Sequence, residues 1–316
     1  MKTILISAIG GDIGYAVIKA LRESGRELYF IGFDITKYNA SYDLVDEFYL
    51  SPQYKEEEKW LDFVTELLSK HHVDYFWPIT EPEITLVDKN RNKFHPTSVI
   101  INEPNVLHIA LDKSRTASFL KAGGVHVPET WDRPESVRGN YPLIVKEAFG
   151  CGSHSIRLVH TKSELEQAFG DMQNPVIQEY IGDASQEYTL TVFSDQKVVN
   201  YIAFRRTLGF GGMSRYVELA DDKEIRGLAH TLAGLFSLKG SVNVQMRKQN
   251  GKYYVFEINP RISSTMGFRA KLGFNDAAWW LDQASGKPVE PFICPVKAAF
   301  GVRTVEEKIF TAEENL

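Results

Sequence analysis

GSVNVQMRKQNGKYYVFEINPR, residues 240–261, alternates apolar and polar side chains on either side of Asn250-Gly251. An Asn-Gly pair between two such runs is a strong hairpin signal, because the favoured two-residue turn needs positive φ at both central positions. Strict alternation puts Asn243 and Gln245 on one face and Val242, Val244 and Met246 on the other. On the return strand it puts Tyr253, Val255, Glu257 and Asn259 on one face and Tyr254, Phe256 and Ile258 on the opposite one. The end of the hairpin then gathers Gln245, Glu257 and Asn259, all oxygen donors, with Arg261 two residues further on. Oxygen-only donors with a single carboxylate suit a hard cation such as Mg²⁺, which keeps waters and binds together with substrate phosphates. The planar fork of Arg261 can hold a phosphate or a carboxylate bidentately. A polar hairpin face turned to solvent is the competing reading of the same residues.

Upstream, the chain alternates strand-like and helix-like segments to about residue 107. TILISA, LYFIGFD, VDYFWPI and SVII are short apolar runs. EEEKWLDFVTELLSKH carries Trp60, Phe63, Val64, Leu67 and Leu68 at helical spacing, with acids early and basic residues late, as the helix dipole favours. This alternation implies a parallel sheet with helices on both faces. Asp112 can cap a helix that Gly123-Gly124 ends. YPLIVKEAFGCGSHSIRLV then reads as strand, glycine loop, strand; KSELEQAF as a helix; PVIQEYI as a strand. From about residue 186 the chain is richer in β structure, with a hairpin around Ser194-Asp195-Gln196 and a helix over 221–236. Boundaries are expected near 105 and 180, giving units 1–107, 108–180 and 181–316.

The 316 residues are enough for two or three domains. A formal net charge of -5 without a long basic run argues against nucleic acid or an anionic membrane as the main partner. Cys151 and Cys294 are too few for a disulfide framework or a zinc site. Lys2 is followed by only a short β-like run, not a signal-peptide pattern, and no apolar stretch approaches bilayer length. A cytoplasmic enzyme or binding protein is the expectation.

ILISAIGGDIGYAVIK, residues 4–19, invites a different reading: a glycine turn between strand and helix, with Asp34 where a ribose-binding acid would stand. That is the layout of a nicotinamide dinucleotide site. If Gly11 and Gly14 are its second and third glycines, however, the first position holds Ile9.

The hairpin decides between the two. GSVNVQMRKQNGKYYVFEINPRISSTMGFRAKLGF (240–274) resembles the metal-binding hairpin and following loop of the ATP-grasp superfamily, in its carbamoyl-phosphate-synthetase-like and carboxylate–amine ligase branches. The resemblance spans residues 1 to about 290. It implies an α/β and α+β fold: a Rossmann-like parallel sheet, the pre-ATP-grasp domain, followed by a two-subdomain ATP-grasp fold. By the same resemblance Gln245, Glu257 and Asn259 would hold two Mg²⁺ ions, for which Mn²⁺ can substitute, against the ATP phosphates. Arg261 would contact the transferring phosphoryl group. Lys113 and Lys146 match the two phosphate-binding basic positions. EAFGCGSHS (147–155) looks like the glycine-rich lid, with Gly150, Gly152 and Ser153 near the triphosphate. Relatives often have a richer glycine–serine loop where this chain has Phe149, Cys151 and His154. VIQEYIGDASQEYTL resembles the adenine-binding hinge at Glu179, Tyr180 and Ile181, with Glu187 on the ribose hydroxyls. Arg205, Arg206 and Arg215, around the glycines of AFRRTLGFGGMSRY, are candidate phosphate or carboxylate contacts, Arg205 foremost. Arg269 is a candidate for the substrate carboxylate.

The implied reaction joins a carboxylate to an amine with ATP, through an acylphosphate, releasing ADP and phosphate. Small-molecule substrates and a homodimer are family-level expectations. The alternatives are an NAD(P)-dependent dehydrogenase and a non-catalytic nucleotide-binding protein. In PITEPE, Glu81 and Glu83 stand at a strand end, where an acid would suit an amine substrate or cap the next helix. In the ligase reading, Gly10, Gly11 and Gly14 let the first turn pass close to a substrate or to the neighbouring domain.

Overall fold

The computed structural model describes residues 1–150 and 156–310, with only the backbone of Phe210. The chain begins with β1 (Lys2–Ile6), α1 (Asp12–Glu23), β2 (Leu28–Asp34), β3 (Glu47–Leu50), α2 (Glu57–Lys70), β4 (Tyr75–Trp77), α3 (Glu81–Lys89) and β5 (Ser98–Val99). All strands of this sheet are parallel, in the order β3-β2-β1-β4-β5. Its apolar runs are buried on both faces, as helical crossovers require. One face packs Leu5, Ile31, Phe33 and Phe76 against Trp60, Val64 and Leu68 of α2. The other turns Ile4, Ile6, Phe30 and Trp77 towards α1 and the C-terminal part of the chain.

Two helices, α4 (Pro104–Ala110) and α5 (Lys113–Ala122), lead to a small antiparallel sheet. It comprises β6 (Thr130–Trp131), β7 (Leu143–Glu147), β8 (Ile156–Val159) and β9 (Pro175–Glu179), with α6 (Lys162–Gly170) between the last two. Its order is β6-β9-β7-β8. Asp112 caps α5 by accepting from the N–H groups of Ser114 and Arg115, as its position suggested.

The large sheet runs β10 (Glu187–Asp195), β11 (Val199–Leu208), β12 (Ser214–Ala220), α7 (Lys223–Phe236), β13 (Lys239–Gln249) and β14 (Lys252–Asn259). Then come α8 (Met266–Lys271), α9 (Asp276–Ala284) and β15 (Phe300–Val302). The strand order is β14-β13-β10-β11-β12-β15. One face packs on α4, α5 and α7 through Leu190, Val244, Leu232 and Phe236. The other contributes Phe193, Ile202 and Phe204 to the core that holds Ile4, Ile6 and Trp77. Trp77 meets Trp280 of α9 edge to face, with centroids 5.7 Å apart. Fully burying a large apolar side chain is worth roughly 1.5–3 kcal/mol. A seam with this many of them joins the parallel sheet to the large sheet as one packed body. The small sheet has its own core of Leu143, Val145, Val159, Leu165 and Ile177.

The hairpin departs from strict alternation. Gln245 pairs with Glu257, but Met246 pairs with Val255, so Phe256 is an extra residue on β14. This β-bulge reverses the faces: Tyr253 and Val255 share the core side with Ile258, not with Glu257 and Asn259. The partition by simple parity is therefore corrected for Tyr253 and Val255, and with them for Tyr254 and Phe256, neither of which belongs to the core of Ile258.

The first glycine turn is tightly packed. A Cβ on Gly14 would lie 2.5 Å from the carbonyl oxygen of Ala8 and 2.8 Å from the Cα of Ile9, whereas one on Gly11 would meet only that oxygen, at 3.6 Å. Gly14→Ala should cost about 1–3 kcal/mol in urea unfolding, because two backbone segments must separate, while Gly11→Ala should cost under about 0.5 kcal/mol. Equal costs for the two would show that the turn is not held by this contact.

Candidate functional site

A cavity of about 420 Å³ opens where the three sheets meet. The small sheet supplies Lys146 and Glu179, the segment after β7 supplies Phe149 and Gly150, and the link to the large sheet supplies Tyr180 and Ile181. The large sheet supplies Glu187, Arg206, Arg247 and the hairpin residues Asn243, Gln245, Glu257 and Asn259. Arg261 lies in the loop after β14, Lys113 begins α5, and Asp12 and Ile13 begin α1. Residues far apart in sequence thus converge on one cleft.

The register explains the hairpin's contribution. Gln245 lies opposite Glu257 and Asn243 opposite Asn259, so all four project from one face. Asn243 is fixed by Thr189, whose hydroxyl donates to its Oδ1 at 2.7 Å. Asn102, outside the cavity lining, donates from Nδ2 to the carbonyls of Ser241 (2.8 Å) and Pro260 (2.9 Å), tying the two strands together beside Arg261. Arg261 donates from Nη2 to Asn259 Oδ1 at 3.1 Å and pairs with Glu81 Oε1 at 2.9 Å.

The two lysines face the same carboxylate. Lys113 Nζ donates to the Gly150 carbonyl at 2.8 Å and lies 4.0 Å from Glu257 Oε1. Lys146, 4% exposed, donates to the Phe256 carbonyl at 3.1 Å. Burial lowers the Lys146 pKa to about 8; Glu257 opposes the shift, and Lys113 and Arg247 add to it. An ammonium held at such a cost is placed to receive an anion.

Glu187 is buried between two guanidinium groups. Arg206 donates to its Oε1 at 3.0 and 3.3 Å, and Arg247 to its Oε2 at 3.1 and 3.3 Å. Arg247 also donates to the Ile181 carbonyl at 3.4 Å and lies 5.1 Å over the Tyr180 ring. Its side chain follows Gln245 by two residues, and parity on β13 alone would have placed it in the site.

Several expected residues lie elsewhere. Arg205 projects from the opposite face of β11, more than a third exposed, and pairs with Glu218 outside the cavity. Its neighbour Arg206 is the one that faces the cleft, because Arg205 registers with Tyr188 and not with Glu187. Arg215 is exposed and does not line the cavity. Arg269 is fully buried and closed off: it forms a bidentate pair with Asp276 at 2.8 and 2.9 Å and donates to the hydroxyls of Ser263 and Thr265. It supports the loop after the hairpin from beneath and presents no atom to a substrate. Gly152, Ser153, Cys151 and His154 lie outside the described residues. Glu83 serves α3: its Oε2 accepts from the N–H and hydroxyl of Thr80 in a capping box, and from Ser7 Oγ. Gly10, Gly11 and Gly14 shape the first turn without lining the cavity, whereas Asp12 does line it. Asp34 accepts from the N–H groups of Gly10 (2.8 Å) and Thr36 (3.3 Å), which gives it a local role in the turn.

The donor set fits Mg²⁺ shared with a phosphate better than an all-protein cage. Among the described residues no three His, Cys, Asp or Glu side chains cluster as a metal site. Glu257 is the one carboxylate of the Gln245–Glu257–Asn259 set, and Asn259 Oδ1 also accepts from Arg261. Such a set leaves coordination positions for substrate oxygens and water.

Residues 110–265 match the family model of the ATP-grasp domain. The chain is 23% identical over 285 residues to the carbamoyl phosphate synthase large chain of Methanosarcina barkeri, covering 80% of this chain and 26% of that one. It therefore spans about a quarter of the length of that relative. Its fold is similar to that of an L-amino acid ligase from Bacillus licheniformis (TM-score 0.72, 19% identity, 92% of this chain and 75% of that chain). It is also similar to the biotin carboxylase domain of Hydrogenobacter thermophilus 2-oxoglutarate carboxylase, solved with MgADP and bicarbonate (TM-score 0.71, 16% identity, 91% and 70%). The mixed α/β architecture is that of these structures. The nicotinamide alternative finds no support among them. No helix of the described residues is long and apolar enough to cross a membrane.

Because burial lowers the Lys146 pKa from 10.5 to about 8, the unfolded chain binds more protons between those values, and this residue makes stability rise with pH across that window. A bound polyphosphate would favour the ammonium form, so ATP binding should take up a proton above about pH 8 and weaken as pH rises. Calorimetry in two buffers of different ionisation enthalpy measures the uptake. Lys146→Met should remove it; uptake unchanged in that variant would exclude Lys146 as the titrating group.

Proposed function

We propose that this chain, in which residues 110–265 form an ATP-grasp domain, is an ATP-dependent ligase that joins a carboxylate to an amine through an acylphosphate. The observation that carries the reading is the single cavity in which Lys113, Lys146, Glu187, Gln245, Glu257, Asn259 and Arg261 meet. Adenine would lie along the backbone at Glu179, Tyr180 and Ile181, and the ribose beside Glu187. The triphosphate would reach Lys113 and Lys146, with the Gly150 end of the lid above it. Gln245, Glu257 and Asn259 would hold Mg²⁺, as two ions for which Mn²⁺ can substitute. Bound there, the metal would neutralise charge on the β- and γ-phosphates.

The chain's own residues act mainly by position and charge, since phosphoryl transfer leaves little covalent work for a protein. In the first step a carboxylate oxygen attacks the γ-phosphorus, the bond to the β-phosphate oxygen breaks, and ADP leaves. Arg261 faces the transferring group, while Lys113 and Lys146 steady the phosphates. In the second step the amine nitrogen attacks the acyl carbon, phosphate departs with the electrons of the C–O bond, and the proton lost from nitrogen ends on the released phosphate. Exposed Phe149 on the lid side of the cavity would help exclude water, which otherwise hydrolyses an acylphosphate.

The same reading divides the chain at 1–107, 108–180 and 181–316, a division supported by where each sheet begins and ends. It includes small-molecule substrates, a cytoplasmic setting and a homodimer.

Glu257→Ala should lower kcat for ADP formation by at least about 100-fold, the scale of losing one preorganised charge contact at a transferring group. The substituted chain should keep its fold by circular dichroism. ADP formation at the unsubstituted rate would remove Glu257 and its hairpin from the reaction.

A further inference from the structure

The parallel sheet reverses direction of growth at β1: the chain adds β2 and β3 on one side, then crosses to β4 and β5 on the other. The carboxyl ends of β1 and β4 flank such a switch point, where open α/β sheets receive ligands. The chain leaves β1 through the glycine turn to Asp12, and leaves β4 to reach Glu81; these are the first residues of α1 and α3. Both carboxylates turn towards the loop after the metal hairpin. Glu81, 9% exposed, has Oε1 2.9 Å from Arg261 Nη2, off the hydrogen-bonding direction. Asp12 lines the cavity beside Ser263 and Ser264, with Oδ2 4.0 Å from Arg303 Nη2. Burial raises the Asp12 pKa against the pull of Arg303 and Arg261.

Among the described residues, five buried side-chain polar atoms lack a hydrogen-bond partner: Asp12 Oδ2, Glu81 Oε1, Asn102 Oδ1, Ser214 Oγ and Asn259 Nδ2. Three of them, Asp12 Oδ2, Glu81 Oε1 and Asn259 Nδ2, belong to side chains that interact with Arg261. Asn102 holds the Pro260 carbonyl next to Arg261, and the Ser214 carbonyl accepts from Arg303 Nε at 3.0 Å. Buried polar atoms are nearly always satisfied, so such a concentration marks a place where a ligand completes the bonding. Asp12 Oδ2 has no hydrogen-bond donor and Glu81 Oε1 only its misdirected ion pair with Arg261, so both can take N–H donors. A divalent ion there would sit against two guanidinium groups. A primary ammonium carries three donors and a single charge. It would also compensate Glu81 when Arg261 turns to a phosphoryl group.

We infer that this corner binds the primary ammonium group of an amino-acid-type substrate, with Asp12 and Glu81 accepting its N–H donors and the substrate carboxylate lying on the Arg261 side. The inference rests on the ligase reading and names the substrate class for it.

The test uses the full chain with ATP–Mg²⁺ and each proteinogenic L-amino acid in turn, alone and in pairs, reading phosphate release and thermal protection. At least one amino acid should raise both above ATP–Mg²⁺ alone, and its deaminated carboxylic acid should not. Asp12→Asn and Glu81→Gln should each raise KM for that amino acid by about tenfold or more, and KM for ATP by less than about threefold. Thermal protection of the variants by ATP–Mg²⁺ reports that they fold, and the deaminated-acid comparison on the unsubstituted chain stands without them. The inference is overturned if no amino acid acts, if the deaminated acid serves equally, or if folded variants keep KM for the amino acid within about twofold. In those cases protection by ATP–Mg²⁺ leaves the ligase reading in place. Loss of that protection in the unsubstituted chain removes both.

Discussion

The cleft depends on the pairing of β13 with β14 and on the one-residue bulge within it. Gln245 opposite Glu257 and Asn243 opposite Asn259 put four polar side chains on one face, while Val244 with Ile258 and Met246 with Val255 stay in the core. Without the bulge at Phe256, the side-chain period of two would set Glu257 and Asn259 on the face of Tyr253 and Val255. The bulge lets one short strand serve a buried core and a charged site. Asn102 then clamps both strands beside Pro260, and Arg261 leaves the hairpin aimed at Glu81, the first residue of α3. The hairpin thus joins the large sheet to the N-terminal α/β unit through side chains that line or adjoin the cleft.

Charge is arranged in layers around that hairpin. Lys113 and Lys146 converge on Glu257, Arg206 and Arg247 close on Glu187, and Arg261 and Arg303 lie near Glu81 and Asp12. Each acid offsets cations that would otherwise repel one another in a low-dielectric cleft. In the proposed reaction a triphosphate would take over part of that compensation. Lys146, buried and lowered to a pKa of about 8, is the group most sensitive to the exchange.

Much of this was legible in the sequence because it was local. The Asn250-Gly251 turn, the cap at Asp112 and the β-rich runs of the first sheet each announce themselves within a few residues. The donor set was legible because Glu257, Asn259 and Arg261 are spaced at twos on one strand end. The bulge was not, since YYVFEIN looks like regular alternation and only pairing with β13 shows Phe256 to be extra. Arg205 and Arg206 are neighbours, and strand register, not residue type, decides which faces the cleft. Arg269 resembles a free arginine until the turn after α8 brings Asp276 onto it. Nothing local singled out Asp12, because Glu81, Arg261 and Arg303 around it come from three distant segments.

The central claim is that one cleft holds ATP with its phosphates between the two lysines and the β13–β14 hairpin. A crystal structure of the chain with Mg²⁺ and a non-hydrolysable ATP analogue tests it most directly. The expected density shows adenine against the backbone at 179–181, phosphates within hydrogen-bonding reach of Lys113 and Lys146, and metal on Glu257 and Asn259. Nucleotide bound instead at the glycine turn of residues 8–14, with the hairpin untouched, would contradict the account.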